Sequence, residues 1–173
     1  MSRLFLAVCA LALASFAASP VQADGSRHAL GPVYIGMTHD QVQALGIATN
    51  HITQDVGGGD TVVREHLAIG GGQAVDAIFQ DGVVISLATV SPNFVALGGG
   101  HVGVTLAELR GLYPHGHFYW GQNPDAGPFM NYDAGGGLSF AFNTDNLRPE
   151  CLEQRRRCPS DFEGKRVIMV VMR

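Results

Sequence analysis

Three of the seven histidines in this 173-residue chain, His101, His115 and His117, lie within one short stretch and raise the question of a metal ion. His115 and His117 are two apart, so a strand would put both on one face, and neutral imidazole is a common ligand for zinc-like ions. No cysteine or carboxylate at ligand spacing completes the set. Surface histidines are therefore the default, and no metal site is assigned. If the three did converge, the enzyme to expect would be a metal-dependent hydrolase.

Other groups offer less chemistry. Gly137-Leu-Ser139-Phe-Ala141 lacks the last glycine of a nucleophile elbow and falls inside a strand pattern, so Ser139 reads as an ordinary strand serine. Asp55 and Asp60 sit in a glycine-rich turn region, where acids are usually solvated. The glycine tracts 57–59, 70–72, 98–100 and 135–137 are not followed by the Lys and Ser/Thr of a phosphate loop and read as turns. No reaction class and no cofactor can be assigned, and the expectation is a non-enzyme.

Residues suited to binding are more prominent. Tyr119, Trp120 and Tyr132 belong to an aromatic-rich second half, and alternation puts Phe118 and Trp120 on one strand face and Tyr119 on the other. Tyr, Trp and Arg are the types enriched at contact hot spots, and core packing is the competing use for the aromatics. Arg155, Arg156 and Arg157 lie between Cys151 and Cys158, the two cysteines beyond the leader, which are expected to form a disulfide. Guanidinium groups in a closed loop suit bidentate pairing with carboxylate or phosphate, and a solvated charge run is the plain alternative.

Residues 1–23 carry the marks of a signal peptide: Arg3, an apolar run from Leu4 to Ala18, and small residues at Val21-Gln22-Ala23. Cleavage after Ala23 and a periplasmic or secreted address are expected. The run is short of the roughly 20 apolar residues of a membrane span, so no integral span is expected afterwards. Charge is uneven: 11 acids and 3 bases from Asp24 to Leu147, then 4 acids and 7 bases from Arg148 to Arg173. This balance argues against bulk nucleic-acid binding and for another envelope or extracellular protein as partner.

These groups must be held by a scaffold, and the scaffold shows an internal echo. Gly36, Thr38, Gln41, Val42 and Leu45 recur as Gly103, Thr105, Glu108, Leu109 and Leu112, all at an offset of 67 residues. A fixed offset marks a repeated unit. Thr38 with Gln41, and Thr105 with Glu108, are capping boxes. Met37 with Val42, and Val104 with Leu109, are hydrophobic staples. Each helix is short, stopped at Gly46 or by Pro114, and leaves a narrow stripe (Val42 and Leu45; Leu109 and Leu112) that must lie on a sheet.

Strands are expected at 61–69, 73–80, 83–90, 117–121, 128–132, 138–143 and 167–172. Asp81-Gly82 is suited to a two-residue hairpin turn, and the all-apolar final run to the middle of a sheet. The fold class is α+β: two tandem repeats of a short helix plus three or four antiparallel strands, 24–97 and 98–173. The second holds the disulfide loop 143–164. Joined edge to edge, the strands would make one curved sheet with helices on one face and the other face open.

On Ile35-Gly36-Met37-Thr38, Val42 and Leu45, and on Val102-Gly103-Val104-Thr105, Leu109 and Leu112, the chain resembles the tandem module of beta-lactamase inhibitor protein and the single module of SmpA/OmlA-type envelope lipoproteins. It departs from them in having no lipobox and in Val104 where the first copy has Met37. The resemblance implies two modules sharing a concave sheet and an inhibitor-like, non-catalytic role in protein binding. A structural or assembly role in the envelope is the alternative.

Overall fold

The computed structural model describes residues 28–57, 60–123, 127–145 and 163–173, with backbone alone at 48, 49, 53–57, 60, 61, 120–123 and 127–129. The chain enters through a small hairpin, β1 (Ala29–Leu30) and β2 (Val33–Tyr34), and then forms α1 (His39–Gln43). Four strands follow: β3 (Ala48–Gly57), β4 (Asp60–Gly70), β5 (Gln73–Gln80) and β6 (Val83–Thr89). After α2 (Leu106–Leu112) come β7 (His117–Asn123), β8 (Gly127–Gly135), β9 (Leu138–Phe142) and β10 (Val167–Met172).

Eight strands form one sheet in the order β3-β4-β5-β6-β10-β9-β8-β7, and every pairing is antiparallel. The protein is thus α+β and dominated by its sheet. β10 lies between β6 and β9, as its unbroken apolar sequence requires. At the β5–β6 hairpin both Asp81 (φ 51) and Gly82 (φ 74) take the left-handed conformation, the geometry of a type I′ turn.

Both helices begin as their sequences dictate. Thr38 Oγ1 accepts from the Gln41 N–H at 3.3 Å while Gln41 Oε1 accepts from the Thr38 N–H at 2.9 Å. Thr105 and Glu108 do the same at 3.3 Å and 2.6 Å. The apolar stripes differ from those expected. Val42, Leu106 and Leu109 are buried, but Leu45, past the end of α1, and Leu112, the last residue of α2, are exposed, because only the start of each short helix rests on the core.

One core joins both helices to a single face of the sheet, through Leu67, Val75, Leu87, Phe140, Phe142 and Val170 among others. Register sets which aromatics enter it: Phe118 opposes Tyr132, Tyr132 opposes Phe140, and Phe140 opposes Val170. Among the described residues no helix is long and apolar enough to cross a membrane. The expected leader (1–23) and the loop with Cys151, Cys158 and Arg155–Arg157 lie outside the described residues.

Candidate functional site

The expected contact residues do not share one surface. Tyr132 is buried at 2% exposure and its hydroxyl donates to the Tyr113 carbonyl at 2.7 Å, so it is a core residue and not part of an open face. Pairing with Phe118 and Phe140 directs it to the helix side. Tyr119 points to the opposite face, half-buried, with its hydroxyl 3.4 Å from Ser139 Oγ. Trp120 pairs with Met130 in the β7–β8 ladder, and its side chain is outside the described atoms.

The face away from the helices is itself uneven. A row of register partners crosses all eight strands, Asn50, His66, Asp76, Ala88, Val171, Ser139, Asp133 and His117. Toward β8–β10 this side is covered: Asn131, Ser139, Ala141 and Val171 are buried. Over β3–β6 it is open. There Ile52 opposes Arg64, Arg64 opposes Ile78, and Ile78 opposes Ser86. Ile52 (50% exposed) and neighbouring Ile85 (40%) show much of their apolar surface, with Ile78 and Arg64 half-buried between them.

The suggested histidine triad does not form. His101 Nδ1 lies 3.0 Å from the Gly99 carbonyl, exposed His117 is 3.9 Å from Asp133, and His115 is exposed in the turn before β7. A different group converges instead. His39, His51 and Glu65 each offer a ligand atom within 4.8 Å of the others, and no other such set of three occurs among the described residues.

Each member of this cluster is placed by local structure. Glu65 belongs to β4 in phase with Val63 and Leu67, hence on the core face, and is 1% exposed. His51 stands directly opposite it on edge strand β3, and His39 opens α1 above them. Glu65 Oε1 is 2.7 Å from His39 Nε2 and 3.0 Å from His51 Nδ1. Gln43, one helical turn beyond His39, donates to both carboxylate oxygens at 3.1 and 3.0 Å. Phe79 meets the His39 ring edge-on at 5.2 Å and fixes its tilt.

Electrostatically, burial pushes the Glu65 carboxyl up, but hydrogen bonds from His51 and His39 and the charges of those rings outweigh it and hold the group below its ordinary value. The carboxylate is therefore ionised in its enclosed position, with partners that reach solvent. Such a set can clamp α1 to the sheet edge or ligate a cation. The signal was present in sequence: an acid in phase with the apolar side of an alternating strand, with histidines within reach only through the fold.

No family model matches the chain, and no curated protein matches it. Among solved structures it is similar to the crystal structure of the uncharacterized protein yfeY from Escherichia coli, at TM-score 0.62 and 14% identity over 83% of this chain and 95% of that one. At that identity the likeness shows the fold alone.

Proposed function

We propose that this chain is a non-catalytic exported protein built from two copies of one unit, which docks another envelope or extracellular protein on the open part of its sheet. Support for the doubled unit comes from the helix entries. Thr38 bridges Val83 at the start of β6, and Thr105 bridges Arg166 at the start of β10. The Gly36 N–H donates to the Val84 carbonyl at 2.8 Å, and the Gly103 N–H donates to that of Val167 at 2.8 Å. Val84 N–H returns a bond to Met37, and Val167 N–H to Val104, each at 2.9 Å. Each helix entry thus leans on the strand that ends its own half, an arrangement expected from duplication.

The docking role rests on one observation, the row Ile52–Arg64–Ile78 with Ile85 beside it, with Ile52 and Ile85 exposed on the side that no helix among the described residues covers. Apolar surface grouped around a guanidinium is the chemistry of a protein contact. The test is capture from envelope extract by the parent chain, by Ile52→Asp with Ile85→Asp, by Trp120→Ala, and by Arg155–Arg157 changed to Ala. Loss confined to the isoleucine variant supports this surface. Equal capture by all four removes every one of these residues from the contact.

A further inference from the structure

We infer that His39, His51 and Glu65 form a binding site for a divalent transition-metal ion of the zinc class, independent of the docking face. The donors are His39 Nε2, His51 Nδ1 and Glu65 Oε1, two imidazole nitrogens and a carboxylate oxygen. This mixture suits Zn²⁺, Ni²⁺ or Cu²⁺ and not Mg²⁺ or Ca²⁺, which prefer all-oxygen shells.

Geometry supports the inference at three points. First, the atoms already converge, Glu65 Oε1 lying 2.7 Å and 3.0 Å from the two nitrogens. Zinc bonds of about 2.0–2.2 Å in a tetrahedron place donor atoms about 3.3–3.6 Å apart, so each nitrogen needs to part from Glu65 Oε1 by only about half an ångström, and the two nitrogens already lie within 4.8 Å of each other. Second, both rings can supply that movement, His39 and His51 each reaching solvent and His51 lying on an edge strand, while Glu65 is anchored in the interior.

Third, the outer sphere is in place. Gln43 Nε2 donates to Glu65 Oε2 at 3.0 Å and can keep that bond while Oε1 turns to an ion, and Phe79 holds the His39 ring. His39 and His51 are 37% and 54% exposed in their side chains, which leaves the fourth position to water or an incoming ligand. The ion would join α1, β3 and β4 and cross-link the helix entry to the sheet edge.

The test is calorimetric titration of the exported chain, purified without a polyhistidine tag, with ZnCl₂. One Zn²⁺ per chain is expected, with affinity weakened about tenfold or more in His39→Ala, His51→Ala and Glu65→Gln, and about tenfold in the outer-sphere variant Gln43→Ala. His66→Ala and His117→Ala should bind as the parent does, and excess MgCl₂ or CaCl₂ should not displace the zinc. Far-ultraviolet circular dichroism reports whether each variant is folded. Should Glu65→Gln fail to fold, His51→Ala on the exposed edge decides the matter. Absence of stoichiometric zinc binding by the parent chain, or binding undiminished in folded His51→Ala, overturns the site.

Discussion

His51 stands directly opposite Glu65 in the β3–β4 ladder, and its Nδ1 lies 3.0 Å from a carboxylate that is almost wholly enclosed. A buried charge survives only if hydrogen-bonded, and here both histidines and Gln43 share that duty. Removing His39 and His51 together leaves Gln43 as the sole partner in the cluster. The double alanine variant should lose about 1–3 kcal/mol in urea unfolding without added metal. A change within error would mean that the cluster does not hold α1 down.

The two caps should have similar energetic weight, since both have the same reciprocal bonds. Thr38→Ala and Thr105→Ala should each cost about 1 kcal/mol, and the corresponding serine variants much less. Chemical denaturation of the four variants checks this.

Leu109 and Leu112 lie on the same short helix but differ in burial, the first at 0% and the second at 42% exposure. Leu109→Ala should cost about 2–5 kcal/mol. Leu112→Ala should stay below about 1 kcal/mol. Equal losses would contradict this difference in burial.

Alkaline stability should depend on two tyrosines. Burial raises the Tyr113 phenol above its ordinary value, against the opposing bond from the Gly100 N–H, and raises Tyr132 against the nearby Arg110 charge. A raised folded-state value means that the native chain holds more protons than the unfolded chain above about pH 10, so stability is intact below that point and falls as pH rises through it. The Tyr113→Phe, Tyr132→Phe double variant should be less stable at neutral pH, by about 1 kcal/mol for each lost hydrogen bond, yet show a shallower alkaline decline. Thermal unfolding from pH 7 to 11 measures both effects.

Much of the scaffold was legible because it is written locally. Asp81-Gly82 demanded a tight hairpin, the Thr-x-x-Gln and Thr-x-x-Glu boxes marked two helix entries, and Val167–Met172 carried no polar position and lies mid-sheet. β3 was not expected. Its sequence, Ala-Thr-Asn-His-Ile-Thr-Gln-Asp-Val-Gly, shows little apolar alternation because an edge strand is less tightly constrained by a core. Missing β3 hid the facing of His51 and Glu65. Tyr132 was misplaced for a related reason: alternation tells that neighbours differ in face, but only register against Phe118 and Phe140 tells which face is roofed.

The proposed docking surface is tested most directly by photo-crosslinking in cells that produce the protein, with a benzophenone side chain placed at Ile85 on the open face or at Leu45 beside α1. Discrete higher-mass adducts from the Ile85 position and none from Leu45 are the predicted result. No adduct from Ile85, or the same adducts from both positions, would contradict a partner on that face.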